Sequence, residues 1–392
     1  MKDLNILLVI PRFYPKSGGG VIVVSNVAKF LKKKGHSVTI LTTDYNFDES
    51  FSQILIEKGV QIIKIKSGFS FFSFIYSPEL KRWCDENLKN FDVIHFNWTR
   101  AYQNNIISKY AEMYNVPYVI QPHGSINSTT NMGFLFLLYD LVWGNRIYDC
   151  AARFIALSES EKKKIAERTK NRIKIEIIPN GIDIANYDRE IKKGYFRKHW
   201  NIPDSENIVL YTGRIHESKG LDKLILSLHK ILITNDNYLV ILAGKDDHYL
   251  STINKLIYQL GLTDHVIITG YLTEEEKFQA YVDSDVFVTP RFYGLPITFL
   301  ESCYFGLPIV TTDGGDFLEW INDKIGFSTR FDEKEISESI LKITQNKNVR
   351  DRFSENAKFL IKEKLNWEKI VDDIVDLYRD SIEDKKIVSK SH

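Results

Sequence analysis

Two cations, Arg214 and Lys219, stand close together in a glycine-bounded segment in the second half of the chain. A predicted strand reaches Tyr211, Gly213 allows a tight turn, and a predicted helix follows Gly220. A diphosphate is well held by fixed cations together with the free N–H groups of a helix N-terminus. Arginine offers a planar fork and lysine a point charge. The segment therefore predicts a diphosphate site, with two solvated loop cations as the alternative.

A second segment, residues 293–308, places a single carboxylate on a predicted helix. Gly294 and Pro296 form the loop that leads into this helix, and Glu301 lies within it. A carboxylate accepts hydrogen bonds from two neighbouring hydroxyls, such as those of a ribose. Taken alone, Glu301 is equally well explained as an ordinary residue on a helix face.

The first half carries a glycine run and a histidine at predicted strand ends. Ser17 and the glycines at 18–20 follow the first predicted strand and precede a helix. Glycine lets the backbone approach a phosphate or an acceptor closely. The dinucleotide fingerprint GxGxxG is absent, because Val21 follows the run. His123 ends another predicted strand, where it is either a site residue or a structural histidine.

Two acidic pairs have the look of metal ligands. Asp283 and Asp285 form a DxD sequence, but they precede a predicted buried strand at 286–289 and are better explained as caps of a helix–strand junction. Asp246 and Asp247 are a weaker pair of the same kind. We therefore predict no metal site.

Short apolar, β-branched runs alternate with amphipathic helical patterns along the whole chain. The first half begins with a strand at 6–10, a loop to residue 20, a helix at 21–34 and a strand at 38–41. The second half starts again with a strand at 208–211, after a turn at Pro179-Asn180-Gly181. This alternation predicts two doubly wound α/β domains, whose ligands lie at the carboxyl ends of the strands.

Composition excludes several classes of protein. The 392 residues are 44% hydrophobic and 26% charged, as in globular proteins, and 392 residues suit two domains. A net charge of +1 argues against a nucleic-acid partner. The three cysteines are widely spaced, which favours neither zinc nor disulfides, and no apolar run is long enough for a membrane span. Basic residues are in excess over residues 1–178 and acidic residues over 179–392, so we expect the first half to meet something anionic.

These motifs occur in the order and spacing of a known family. The sequence reads GRxxxxKG from Gly213 to Gly220, GLPITFLESxxxGLPIV over 294–310, and PNGID over 179–183. Over nearly its whole length the chain resembles the retaining glycosyltransferases of family 4. The resemblance implies two Rossmann-like domains facing across a cleft, the arrangement called GT-B. It also implies that a C-terminal helix returns to the first domain, giving domains of 1–178 plus about 371–392, and 179–370.

The resemblance assigns roles to individual residues. Arg214 and Lys219 hold the donor diphosphate and carry catalysis, with His123 beside the transferred sugar, and Glu301 binds the ribose. The expected donor site comprises Gly19, Gly20, Gly213, Arg214, Lys219, Tyr293, Gly294, Leu295, Pro296, Ile297 and Glu301. Tyr293 stands where the family has the first glutamate of its paired-glutamate motif. Either Tyr293 contacts the donor sugar in another way, or Arg291 or a backbone group takes that part.

The expected function is transfer of a sugar, with retained configuration, from a nucleotide-diphosphate donor to a glycan or lipid-linked glycan in cell-surface polysaccharide biosynthesis. The nucleotide sugar is a co-substrate, and neither a cofactor nor a metal is expected. A nucleotide-sugar epimerase of similar fold and a non-catalytic nucleotide-sugar-binding protein remain alternatives. The donor sugar, its base, the acceptor, the linkage and the oligomeric state are left open.

The expected location is cytoplasmic, with peripheral contact at the inner membrane face. Lysines at 29, 32–34 and 162–164 provide cations that an anionic surface attracts. The aromatic, apolar segment 134–143 is interpreted as a core helix, with a membrane-contacting surface as the alternative.

Overall fold

A computed structural model describes residues 3–15, 19–71, 74–126, 139–291, 295–313 and 318–390. The chain divides into two compact units. Unit 1 comprises Met1–Asn180 and Trp367–His392, and unit 2 comprises Gly181–Asn366. The predicted domain bounds had placed the first change after residue 178 and the return at about residue 371.

Unit 1 is built on a parallel sheet of seven strands within the described residues, in the order β3-β2-β1-β6-β7-β8-β9. A short antiparallel pair, β4 and β5, stands apart from it. The strands are β1 (Asn5–Val9), β2 (Ser37–Thr43), β3 (Gln61–Ile65), β4 (Ser70–Phe71), β5 (Phe74–Ile75), β6 (Val93–Asn97), β7 (Tyr118–Gln121), β8 (Arg153–Ala156) and β9 (Lys174–Ile177).

Helices cover both faces of the unit 1 sheet. They are α1 (Gly19–Lys33), α2 (Glu49–Glu57), α3 (Leu80–Asn87), α4 (Tyr102–Met113), α5 (Asn145–Asp149) and α6 (Glu159–Thr169), with a 3-10 turn at Leu88–Asn90 and a π-helical turn at Asp140–Gly144. The long C-terminal helix of the unit, Trp367–Lys390, is numbered α15 below. Val24 and Leu31 of α1 and Tyr378 of α15 are buried in one core cluster. An apolar stripe at helical spacing gives α1 and α15 this shared burial.

Unit 2 repeats the architecture with six parallel strands in the described residues, in the order β12-β11-β10-β13-β14-β15. The strands are β10 (Asn207–Thr212), β11 (Tyr238–Ala243), β12 (Val266–Gly270), β13 (Val286–Thr289), β14 (Ile309–Thr312) and β15 (Gly326–Thr329). All the pairings in this sheet are parallel, so the carboxyl ends of the strands share one edge.

The helices of unit 2 lie before, between and after these strands. They are α7 (Tyr195–His199), α8 (Leu221–Leu232), α9 (Leu250–Gln259), α10 (Glu274–Asp283), α11 (Ile297–Tyr304), α12 (Leu318–Ile321), α13 (Glu333–Thr344) and α14 (Lys347–Glu363), with 3-10 turns at Ile184–Asn186, Glu217–Lys219 and Thr263–His265. Within the described part of the chain, no helix has the length and apolar character that crossing a membrane requires.

Two expectations from the sequence need correction. Helix α1 begins at Gly19, two residues before the predicted start, so Gly19 and Gly20 belong to its first turn instead of the preceding loop. The segment 134–143 was expected to be a core helix. Residues 134–138 lie outside the described residues, and in the described part Leu141, Val142 and Trp143 are exposed. The polar neighbour Asp140 is the buried one, because it pairs with Arg100.

Candidate active site

Each sheet has one point where the strand order reverses direction. In unit 1 it lies between β1 and β6, and in unit 2 between β10 and β13. The loops that leave neighbouring strands diverge at such a point and open a crevice at the carboxyl edge. Gly213 and Arg214 follow β10 directly, and His123 follows β7, the strand next to β6. The predicted site residues therefore lie at or beside these points, each within its own unit.

Gly213 makes a turn that requires glycine. Its φ is +153°, and its N–H donates to the carbonyl of Ala243 at 2.9 Å. Gly244 in the neighbouring loop has a φ of +154°, and a Cβ there would lie 1.7 Å from the Gly213 carbonyl oxygen. The loops after β10 and β11 therefore pack backbone against backbone, which only glycine permits. Tyr211 secures the turn by donating its hydroxyl to the Arg214 carbonyl at 2.8 Å.

Lys219 is a half-buried cation. It ends the short turn Glu217–Lys219, and Gly220, with a φ of +68°, leads from there into α8. Burial lowers the pKa of the Lys219 ammonium, and the nearby positive charge of Arg214 lowers it further. Among the described residues no carboxylate pairs with it. The positive charge of Lys219 is therefore available to pair with an anionic ligand.

Arg214 is differently placed. Its side chain is 64% exposed and forms an ion pair with Asp247, which lies in the loop after β11. The guanidinium nitrogen Nη1 donates to Oδ2 of Asp247 at 2.5 Å. The two predicted diphosphate-binding cations are thus close enough to repel each other, but only Arg214 has a carboxylate partner in the described part of the chain.

Glu301 is buried in unit 2, with 2% of its side chain exposed. Its carboxylate accepts hydrogen bonds from Lys277 Nζ at 2.5 Å, from Tyr187 Oη at 3.1 Å and from Tyr281 Oη at 3.0 Å. Burial and the Glu301 charge raise the pKa of both tyrosines, so they remain neutral donors. These donors hold the carboxylate in one orientation.

Helix α11, which carries Glu301, starts beside the reversal point of the unit 2 sheet. Leu295 is buried in the core, Pro296 is the N-cap with an extended backbone, and Ile297 is the first helical residue. The predicted site residues Tyr293 and Gly294 lie outside the described residues. Arg291, the alternative to Tyr293, stacks over the ring of Phe331 at 3.7 Å.

In unit 1, Gly20 lies against an unusual tryptophan. A Cβ at Gly20 would be 3.1 Å from Nε1 of Trp98, which directly follows β6. Trp98 has a φ of +72°, a conformation that bulky residues rarely adopt. Its backbone is held by hydrogen bonds from its N–H to the Gln121 carbonyl and from Asn104 to its own carbonyl. Gly19, by contrast, has open space where a Cβ would stand.

His123 is fixed by Asn97 at the end of β6. His123 Nε2 lies 2.9 Å from Asn97 Oδ1, and the Asn97 amide nitrogen points toward the carbonyl of His95 at 3.3 Å. Since an amide oxygen only accepts, Nε2 of His123 carries the hydrogen and Nδ1 is left as an acceptor. Burial lowers the pKa of His123 to about 4, so the ring is neutral at pH 7.

His95 lies deeper in the same unit. It is fully buried, and its Nδ1 lies 2.7 Å from the hydroxyl of Tyr378 in α15. Burial, together with the nearby His123, lowers the pKa of His95 to about 3. These contacts give His95 a structural role, linking the central strand β6 to the C-terminal helix.

The acidic pairs resembling metal ligands have structural partners. Asp283 accepts hydrogen bonds from the backbone N–H groups of Gly194 and Phe196, at the start of α7. It thus caps a helix from another part of the chain, whereas a cap of its own helix–strand junction was expected. Asp285 pairs with Arg197 at 3.4 Å.

The sequence interpretation missed Lys277, Tyr187 and Tyr281 around Glu301, and Asp247 beside Arg214. Lys277 and Tyr281 lie on α10, which reads as an ordinary amphipathic helix. Asp247 was considered only as a metal ligand. The one available signal was its place just after a strand of the same sheet.

Both halves of the chain match models of glycosyltransferase families. The model "Glycosyltransferase Family 4" matches residues 17–186, and the model "Glycosyl transferases group 1" matches residues 193–360. The uncharacterized glycosyltransferase MJ1607 of Methanocaldococcus jannaschii is 25% identical, over 97% of this chain and 99% of that protein. The O-antigen biosynthesis glycosyltransferase WclY of Escherichia coli is 27% identical, over 93% of this chain and 95% of its own.

Solved structures agree on the fold. Anabaena Alr3699/HepE, crystallised with UDP and glucose, superposes with a TM-score of 0.72 at 17% identity. The match covers 95% of this chain and 99% of that structure.

Proposed function

Since the two family models together span most of its length, the chain belongs to glycosyltransferase family 4, and we propose that its donor is a nucleotide-diphosphate sugar held on unit 2. We propose further that the sugar is transferred with retained anomeric configuration, without a metal ion or other cofactor, to a glycan or lipid-linked glycan. The similar O-antigen biosynthesis glycosyltransferase WclY supports a role in cell-surface glycan biosynthesis.

The observation that carries the donor assignment is the state of Lys219. Its ammonium is half-buried, its pKa is lowered by burial and by Arg214, and no described carboxylate neutralises it. It stands beside the strand-order reversal of a parallel sheet, in the loop that precedes α8. A diphosphate would supply the missing negative charge. HepE, a protein of the same fold, was crystallised with UDP, and this complex supports the choice of ligand class.

Catalysis in this proposal is electrostatic. Breaking the sugar–phosphate bond leaves negative charge on the departing diphosphate, and fixed cations in a partly desolvated site stabilise it. Lys219 and Arg214 serve this purpose, in place of the divalent cation that other transferases use. For retention, an oxygen of the departing diphosphate would take the proton of the incoming hydroxyl on the same face of the sugar.

Glu301 and His123 complete the proposed assignments. Glu301 would accept hydrogen bonds from ribose hydroxyls, with Lys277 and the two tyrosines holding its carboxylate in place. His123, neutral and with Nδ1 as an acceptor, would bind a hydroxyl of the transferred sugar. Tyr293 remains the proposed substitute for the family's first glutamate.

The lipid-linked acceptor suggests a surface for membrane contact in unit 1. Leu141, Val142 and Trp143 form an exposed apolar cluster, and α6 carries exposed lysines at 163 and 164. Exposed apolar side chains and exposed cations in one unit are features of a peripheral interfacial contact. Part of the predicted basic segment contributes less, because Lys33 and Lys34 pair with acidic residues of α15. We propose a cytoplasmic protein that binds the inner membrane face peripherally.

Thermal unfolding in the presence of UDP, GDP, ADP and their common sugar conjugates tests the donor assignment. A ligand at 100 times its Kd adds about 2.7 kcal/mol to the stability of the unit it binds. We expect one base to raise the melting temperature, with or without EDTA, and the rise to vanish in Lys219→Ala. No rise with any nucleotide would refute the assignment, and a rise that needs a divalent ion would refute metal independence.

Three further assays test the type of reaction and the membrane contact. Donor consumed without any acceptor, yielding an altered nucleotide sugar, would identify an epimerase instead, and NMR of a transferred product reports whether configuration is retained.

Liposomes containing anionic lipid should bind the protein at low salt, and less so after Leu141 and Trp143 are both changed to serine. Equal binding by the variant would contradict the proposed surface.

A further inference from the structure

We propose that Asp247 determines the donor affinity of this enzyme, because it is the carboxylate that Arg214 exchanges for the donor diphosphate. Without donor, Asp247 occupies the guanidinium and so competes with the phosphates for it. The inference rests on the proposed donor site.

The Arg214–Asp247 contact is built by the backbone. Ile215 N–H donates to the Lys245 carbonyl at 2.9 Å, and Asp247 N–H donates to the Ile215 carbonyl at 3.0 Å. These bonds join the loops after β10 and β11 in a fixed register, one residue beyond Arg214. The carboxylate is therefore presented to the guanidinium by two clamped loops, and only 32% of the Asp247 side chain is exposed.

A diphosphate would consequently gain more attraction from one cation of the site than from the other. Lys219 has no carboxylate partner among the described residues, so a phosphate gains its full attraction. Arg214 already has one, so a phosphate gains only the difference between itself and Asp247. The Asp247 charge also repels an approaching phosphate. Removing this charge should strengthen donor binding on both counts.

The test compares two single-charge changes at adjacent positions. Asp247→Asn removes the partner of Arg214. Asp246→Asn removes an equal charge next to it, but Asp246 caps α9 by accepting from the N–H groups of Tyr249 and Leu250 at 3.1 and 3.0 Å. Isothermal titration calorimetry with UDP, with GDP and with ADP measures Kd for each protein. An exposed ion pair is worth up to about 1 kcal/mol, so Asp247→Asn should bind about two- to fivefold tighter.

A second arm places the effect on Arg214. In an Arg214→Ala background the gain from Asp247→Asn should shrink toward that from Asp246→Asn, and in the wild type the gain should fall as salt rises. Equal or weaker binding by Asp247→Asn would overturn the inference, and so would an equal gain from Asp246→Asn. If the wild type binds none of the three nucleotides, the proposed donor assignment itself fails, which the wild-type titration shows before any variant is compared.

Discussion

Replacing Lys219 with methionine should stabilise the ligand-free protein and at the same time abolish its response to nucleotide. The lysine pKa is lowered first by burial and then by Arg214. At neutral pH the ammonium is charged in both the folded and the unfolded state. Because the folded state partly buries this charge and places it near Arg214, the charge lowers the free energy of unfolding. This cost falls as the pH rises through the lowered folded pKa and is gone above the unfolded pKa. Methionine keeps the apolar stem and removes the charge.

The expected size follows from the partial burial of the side chain. A substitution that removes an unfavourable charge interaction commonly gains about 0.5–2 kcal/mol. Because Lys219 is only half-buried, we expect about 1 kcal/mol, which corresponds to about 2–4 °C for a domain of this size. The wild type should gain about 2.7 kcal/mol from a nucleotide at 100 times its Kd, and the variant should lose most of that gain.

Differential scanning calorimetry with and without nucleotide measures both effects. Lys223→Met is the matched control, because Lys223 lies only four residues after Lys219, in α8, but its ammonium pairs with Glu333 at 2.7 Å. The control should be unchanged or slightly less stable without ligand, and should keep the nucleotide response. A Lys219→Met protein that melts lower than the wild type, or that still responds to nucleotide, would refute the reasoning.

Three further predictions concern the supporting structure. Lys277→Met should lower the free energy of unfolding of unit 2 by about 2–3 kcal/mol in urea denaturation, because it leaves the buried Glu301 charge without its cation. Adding Glu301→Gln should recover much of this loss. A loss that the second change does not reduce would contradict the prediction. Burial lowers the pKa of His95 to about 3, so only the unfolded chain takes up its proton as the pH falls from about 6.5. The stability of the wild type relative to His95→Gln should therefore decrease by up to about 1.4 kcal/mol per pH unit down to about pH 4, and a pH-independent difference would count against a buried neutral ring. Gly244→Ala should prevent stable folding of unit 2, because its Cβ would lie 1.7 Å from a backbone oxygen. Gly261→Ala, at a residue with a φ of +68° and open space around it, should cost only about 1 kcal/mol. Circular dichroism melts that show equal losses of stability for the two variants would contradict the close approach at Gly244.

The strands and helices were predictable from the sequence because apolar, β-branched runs and amphipathic stretches alternate along the chain. The strand predicted at 208–211, for example, is Asn207–Thr212 in the structure. The start of α1 was missed by two residues, because glycines at 19 and 20 carry no side chain that could show helical periodicity. The exposed cluster at 141–143 was misinterpreted for a different reason: apolar composition alone does not say whether a face is covered by the protein.

The site was less predictable than the fold. Motif spacing indicated Arg214, Lys219 and Glu301, but their partners come from distant parts of the chain. Tyr187 is 114 residues from Glu301, and Asp247 is 33 residues from Arg214. Such pairs depend on how loops and helices pack against one sheet edge, which a single sequence does not specify. The difference between a cation with a carboxylate partner and one without could therefore be seen only in the structure.

The most direct test of the account is a crystal structure of the protein with the nucleoside diphosphate that stabilises it. We predict phosphate oxygens within hydrogen-bond distance of both Lys219 Nζ and the Arg214 guanidinium, with Arg214 released from Asp247. A nucleotide bound elsewhere, or phosphates that contact neither cation, would contradict it.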